Sequence, residues 1–259
     1  MAQNSVFERF ARAGYLASGL VHLIIGYIAI RLVLGGGGGT VDQSGALATL
    51  ASTPGGPLTL WVAVVAFTMM GLWRLVETIL GRATDPKSQG LWSEAFDRAK
   101  AFALSVTYFV FAFTTLGFAR GAGKSSGAQE SGISVRLMQT PGGKAALVAG
   151  GVAIVAVGGY HVYKGATRSF LEDLEGSPGD AVRRLGIVGY VAKGIVLAGV
   201  GVLLVVAALR SQPDRATGLD GALKTLLTHP AGAVMLVLAG LGIIAYGLYS
   251  FVMARHTKM

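Results

Sequence analysis

The sequence predicts an all-α, polytopic membrane bundle: six transmembrane helices forming three parallel two-helix repeats with pseudo-threefold symmetry, and short amphipathic helices in the outer loops. Three observations carry that prediction. Apolar residues make up 53% of the 259 residues and charged residues only 14%, with a mean hydropathy of +0.60, a composition foreign to a water-soluble domain of this length. Six windows, 14–34, 58–80, 101–119, 145–163, 185–209 and 231–254, are apolar over the ~20 residues that a bilayer core of about 30 Å demands of a helix. A motif also recurs three times. Ser44-Gly45 leads through Leu50 to Pro54-Gly55-Gly56, Ser131-Gly132 through Leu137 to Pro141-Gly142-Gly143, and Asp220-Gly221 through Leu226 to Pro230-Ala231-Gly232. Each copy begins with a residue able to cap a helix and closes with Pro-x-Gly, which stops one and lets the chain turn.

A long apolar run follows every copy, so the chain reads as a single membrane domain, residues 1–259, with internal repeats 7–81, 96–165 and 182–254. Superposing the first helices sets Gly14-Tyr15 beside Ala101-Phe102 and Gly189-Tyr190. Superposing the second sets Gly71-Leu72-Trp73 beside Gly158-Gly159-Tyr160 and Gly247-Leu248-Tyr249. The first window is too long for the apolar part of a cleaved signal, and 35–39 offers no small-x-small cleavage pattern, so it reads as a retained helix. Residues 46–53 are too short to span and are expected to lie flat at the outer surface, with a re-entrant element as the alternative. Gly151 to Gly158 and Gly240 to Gly247, seven apart, favour close helix packing.

The net charge is +9 and the pI about 10.0, but the basic residues are scattered through short loops with no aromatic platform. That pattern suits topology signals and anionic headgroups better than nucleic acid. Lys and Arg number twelve at the termini and in the second and fourth loops, against eight in the other loops. Both termini are therefore expected in the cytoplasm of a bacterial inner (plasma) membrane. The loops 82–100 and 168–184 read as solvated linkers. Cysteine is absent, so no disulfide or thiolate site exists.

The phrase Ala13-Gly14-Tyr15-Leu16-Ala17-Ser18-Gly19, the Pro-x-Gly box and Gly71-Leu72-Trp73-Arg74 resemble the bacterial family called domain of unknown function 1206. The resemblance runs from Phe7 to His256 and implies three tandem two-helix units in a bacterial inner membrane, with no assigned activity. The second repeat departs from the pattern, since Ala101-Phe102-Ala103-Leu104 lacks the glycine.

Charged groups inside a bilayer cost ~2.5–3.5 kcal/mol at mid-span on insertion scales, so each needs a reason. Arg31 and Lys164 lie near span ends and can snorkel. The remainder fall at equivalent repeat positions. Lys193 matches Ser18 and Ser105, with His22 one turn from Ser18; Arg74 matches His161 and Ser250, with Glu77 three residues on. These eight residues are the candidate polar pocket, in the inner half of the bundle. Interhelical hydrogen bonding and snorkelling are the plainer account of the same residues. Lys193 is expected to face inward, within reach of a polar group, and Glu77, the one acid inside any window, is its natural partner. Trp73, Tyr160 and Tyr249 read as interfacial anchors.

The structural repeat motif comprises Gly45, Pro54, Gly56, Gly132, Pro141, Gly143, Gly221, Pro230 and Gly232. Residues 35–39 lack the Gly-Lys-Ser/Thr ending of a phosphate loop, and no His-Glu-x-x-His, Gly-x-Ser-x-Gly or carboxylate dyad occurs. No catalytic residue, metal site or cofactor is therefore expected. The expected function is a non-enzymatic accessory or scaffold protein that binds membrane lipid, a protein partner or a second copy of itself. The alternative is a small-solute or ion transporter using the polar pocket. Reporter fusions at the termini and within 82–100 and 168–184 should report the cytoplasm, and one within 35–57 the exterior. A reporter active outside at 168–184 reverses the orientation.

Overall fold

The computed structural model describes residues 2–35, 40–80, 91–123, 134–176, 179–212 and 218–257, and within these all side chains except 2–11, 13, 91–94, 96, 97 and 100. Gly132 of the repeat motif, with Arg82, Lys87, Lys124, Arg215 and Lys258 of the charge count, lies outside the described residues. The elements are α1 (Ala2–Val33), α2 (Gln43–Ala51), α3 (Gly56–Leu80), α4 (Leu91–Ala119), α5 (Pro141–Thr167), a 3-10 turn (Ser169–Asp173), α6 (Asp180–Arg210), α7 (Gly218–Leu226) and α8 (Gly232–His256). Residues 134–138 are also helical. No strand occurs among the described residues beyond an isolated bridge between Leu174 and Thr257. Six helices, α1, α3, α4, α5, α6 and α8, are long and apolar enough to cross a membrane. Within a bilayer a helix satisfies its own backbone groups, which is why glycine-rich runs stay helical here.

The chain divides into two compact units: Met1–Ala46 with Ser125–Met259, and Leu47–Lys124. In the larger one, α1 packs on α8, α5 on α6, and α6 on α8; in the smaller, α3 packs on α4. The closest partners are thus the second helix of one repeat and the first helix of the next: α3 with α4, α5 with α6, and α8 with α1.

Glycine sets these contacts. A Cβ on Gly19 would stand 2.9 Å from the carbonyl oxygen of Gly247, and one on Gly26 2.6 Å from that of Gly240. On α5 and α6 the same holds for Gly158 against Gly194, at 2.6 Å in both directions, and for Gly201 against the carbonyl of Gly151, at 2.6 Å. Seven residues forward on one helix meet seven backward on its partner, so both pairs are antiparallel. In the smaller unit Gly71, the equivalent of Gly158 and Gly247, faces the Phe109 ring, and the Ser105 hydroxyl donates to the Gly71 carbonyl at 2.9 Å.

The Pro-x-Gly boxes share one backbone course. The N–H before each proline, in Thr53, Thr140 and His229, donates to the carbonyl of Leu50, Leu137 and Leu226 at 3.1, 3.2 and 3.0 Å. The last glycine of each box, Gly56, Gly143 or Gly232, presses against that same leucine carbonyl so closely that no Cβ would fit. A role for proline as the stop of the surface helix therefore needs correction. The leucine carbonyl closes the short helix, and Pro141 opens α5 beneath an N-cap, with Thr140 accepting from the Gly143 N–H at 3.1 Å. The fixed φ of proline suits that first helical turn.

The capping residues differ from expectation too. Asp42, not Ser44, caps α2: its Oδ1 accepts from the Gly45 N–H at 2.9 Å and from the Ser44 hydroxyl at 2.5 Å. Asp220 lies inside the first turn of α7, where it accepts from the Val41 N–H at 2.7 Å and from Lys224 at 2.9 Å. It thereby ties the segment before α2 in the first repeat to α7 in the third, over a core of Ile25, Ala29, Val41, Leu223 and Leu236.

Gly158 and Gly159 offer a paired test. Gly158→Ala puts a methyl into the backbone of α6 and should cost roughly 1–3 kcal/mol, read as a lower melting temperature in detergent. Gly159 has nothing within 4 Å of the new methyl, so Gly159→Ala should leave stability unchanged or raise it by up to about 1 kcal/mol through helix propensity.

Candidate functional site

At one end of the larger unit, tyrosines gather where sequence alone placed a linker and an interfacial belt. Gly165, Gly186 and Gly189 leave room for them: Gly165 backs Tyr190, Gly186 faces the Phe170 ring, and Gly189 lies against the backbone of Tyr246. Phe170 is 0% exposed, so the loop at 168–184 is not a solvated linker. It sends a plug into the unit, stacked on Tyr190 at 5.3 Å and edge-on to Tyr249 at 5.3 Å. The Glu175 N–H bonds the His256 carbonyl at 2.7 Å and fixes the loop to the end of α8. Tyr249 is also 0% exposed and donates to the Phe170 carbonyl at 3.4 Å, so it is a core residue and no belt anchor. Trp73 and Tyr160 are 47% and 58% exposed, as belt residues should be.

Two lysines flank the aromatic cluster. Lys164 pairs with Asp173 at 2.6 Å and lies 5.7 Å from the centre of the Tyr190 ring, so more than snorkelling holds it. Lys193 sets its ammonium 3.8 Å above the Tyr246 ring. On the other side of that ring's neighbourhood His22 lies 4.8 Å away, centre to centre, and His161 lies 5.8 Å from Tyr190. Lys193 is within electrostatic reach of both histidines, and the histidines of each other.

The histidines are oriented by their own helices. His22 Nδ1 lies 2.7 Å from the Ser18 carbonyl, with Ser18 Oγ 3.4 Å from the same nitrogen, and His161 Nδ1 lies 2.8 Å from the Val157 carbonyl. A carbonyl can only accept, so Nδ1 carries the proton in both rings and the neutral ring keeps its lone pair on Nε2. Neither Nε2 bonds a group among the described residues, and Lys193 makes no hydrogen bond or ion pair among them. A cation–π contact contributes ~0.5–2 kcal/mol, less than the ~2.5–3.5 kcal/mol a charge costs at mid-span.

The other candidate residues settle differently. Ser250, fully buried, donates to the Tyr246 carbonyl at 2.9 Å. In the smaller unit Ser105 bonds Gly71, while Glu77 spends both oxygens on its own helix: Arg74 Nη1 at 2.6 Å and Trp73 Nε1 at 3.0 Å. Arg74 Nε is buried without a hydrogen-bond partner. The structure thus brings Ser18, His22, His161, Lys193 and Ser250 into one unit, with His22 and Lys193 at the Tyr246 ring and His161 at Tyr190, and sets Arg74, Glu77 and Ser105 in the other. Sequence reasoning missed Phe170, Tyr190 and Tyr246; the apolar Phe170, Leu171 and Leu174 inside an otherwise charged loop were the available signal.

Fold and site together define a multi-pass α-helical membrane protein with a threefold internal repeat and a cationic, aromatic cluster inside its spans. The chain belongs to the family described as Domain of Unknown Function (DUF1206), whose model matches at residues 13–81, 99–168 and 188–256, one match for each repeat. It is similar to the "Uncharacterized protein YxxB" of Bacillus subtilis (strain 168), 28% identical over 260 residues that cover 97% of this chain and 92% of the relative. No solved structure matches the chain.

Tyr190 separates packing from hydroxyl chemistry. Among the described residues its hydroxyl reaches only the Met253 sulfur, at 3.8 Å, whereas its ring touches Phe170, Tyr246 and Tyr249. Tyr190→Phe should melt within about 1 kcal/mol of the parent, and Tyr190→Ala should lose roughly 3–5 kcal/mol.

Proposed function

We propose that this protein is a non-enzymatic component of a bacterial inner (plasma) membrane, with both termini cytoplasmic, that binds membrane lipid or a protein partner through the cluster around Lys193. A second copy of the chain is one form such a partner takes; nucleic acid is not. The observation that carries this reading is the unspent hydrogen-bonding capacity of Lys193, which has the face of Tyr246 against it and no hydrogen bond or ion pair among the described residues. Acid–base catalysis needs an acid and a base facing each other within reach of a substrate. Here Asp173 is held by Lys164, and Asp220 by Lys224 and the Val41 N–H, so neither carboxylate is free to serve as acid or base. That arrangement favours holding a ligand over transforming one. The exposed apolar side chains along the spans, among them Val62, Val65, Phe113, Val152 and Val234, supply the surface that lipid or a partner helix would cover.

Reconstitution into liposomes tests the proposal. Permeability to entrapped ions and small solutes should match empty vesicles for both the parent chain and Lys193→Ala, while the variant melts at lower temperature or retains less co-purifying lipid or partner. Flux through the parent chain that Lys193→Ala abolishes would replace the binding role with transport.

A further inference from the structure

We infer that Lys193, His22 and His161 form an intramembrane site for an anionic phosphate that carries a hydroxyl, the chemistry of an acidic phospholipid headgroup or of free hydrogen phosphate. The inference rests on the binding role proposed above and names what is bound. Among the described residues three half-buried groups are open in their hydrogen-bonding capacity: the ammonium of Lys193, with three donors and the face of Tyr246 against it, and the Nε2 atoms of His22 and His161. An ammonium within a span calls for an anion. A neutral imidazole with its proton fixed on Nδ1 calls for a donor at Nε2. A carboxylate supplies the first and not the second. A monoanionic phosphate with a P–OH, or a phosphodiester with a neighbouring glycerol hydroxyl, supplies both: a charged oxygen accepts from Lys193 and the hydroxyl donates to Nε2.

The surroundings favour an anion as well. Asp173, within electrostatic reach of Tyr190, is neutralised by Lys164 at 2.6 Å, and Lys164 also lies within electrostatic reach of His161. Lys164 faces the Tyr190 ring and Lys193 the Tyr246 ring, and these two rings meet edge to face at 5.3 Å, so positive charge lies at both ends of the pair. The backbone behind it is fixed, because Gly189 and Gly194 seat α6 directly on α8 and α5, so the site exists before any ligand arrives.

The test uses the full chain purified in a neutral detergent. Retention of phosphatidylglycerol, phosphatidylmethanol (anionic, without a hydroxyl) and phosphatidylcholine is read by native mass spectrometry, and melting is followed during titration with inorganic phosphate. Phosphatidylglycerol should bind most tightly, and Lys193→Met should weaken it about tenfold or more while Lys193→Arg restores it. If inorganic phosphate raises the melting temperature of the parent but not of Lys193→Met, and phosphatidylglycerol does not discriminate them, the site belongs to the free anion. If folded Lys193→Met and the parent respond alike to every ligand, the inference is overturned. Should Lys193→Met not fold, equal binding of all three lipids by the parent, with no response to phosphate, overturns it as well. Lys193-dependent flux in liposomes would instead overturn the binding role itself, so the two failures are distinguishable.

Discussion

Backbone contact between glycine faces fixes the geometry on which the rest of the larger unit depends. Between helices in lipid there is no hydrophobic gain from leaving acyl chains for other apolar side chains, so association rests on close packing and hydrogen bonds. Gly19 against Gly247, Gly26 against Gly240, and Gly158 against Gly194 bring facing carbonyls to within a methyl group's width of the opposite helix. The aromatic cluster inherits its positions from the same device. Gly165 backs Tyr190, Gly186 admits the ring of Phe170, and Gly189 lies on the backbone of Tyr246. With four neighbouring rings, Tyr190 has its place set by contacts on several sides at once.

That device was partly legible in the sequence. The seven-residue spacing of Gly151 and Gly158, and of Gly240 and Gly247, announced close packing, and the repeat alignment set Gly71, Gly158 and Gly247 at one position, where each meets a neighbouring helix. The partner of each glycine face was not legible. A repeat read as a hairpin suggests contact between its own two helices, yet the tightest pairs join α5 to α6 and α8 to α1, across repeat boundaries. Periodicity reveals that a helix has a small-residue face without revealing which helix shares it. The short helices show the same limit. A cap residue was expected from Ser44 and Asp220 because both types cap well, but Asp42 takes the first role, and Asp220 bridges to Val41, 179 residues away in sequence.

The polar residues were legible as a set and not as a geometry. Their equivalence across repeats picked out Lys193, His22 and His161, and in the larger unit the first two lie at the Tyr246 ring and the third at the adjoining Tyr190. Phe170 escaped notice because its loop is rich in acids and bases, and average polarity hid two buried residues, Phe170 and Leu174. Tyr249 escaped because an aromatic near a span end is a belt residue by default, and only the plug from the loop turns it into core.

Equivalent positions in diverged repeats expose what each copy does with the same place. Ser105 uses its short hydroxyl to bond Gly71 on the helix packed against it. Ser18 offers its carbonyl to His22, which fixes that ring's tautomer. Lys193 has too long a side chain for either task. It lies on α6, the one spanning helix in the larger unit that packs on both α5 and α8, and its stem carries the ammonium to the ring of Tyr246 on α8. A serine there would satisfy itself on a backbone carbonyl, as Ser250 does one turn along α8. A lysine cannot do so without keeping its charge in the span, a cost that the face of one tyrosine offsets only in part. Packing alone gives no reason to place a cation where the two sister repeats hold Ser18 and Ser105, and the proposed anionic ligand would supply one.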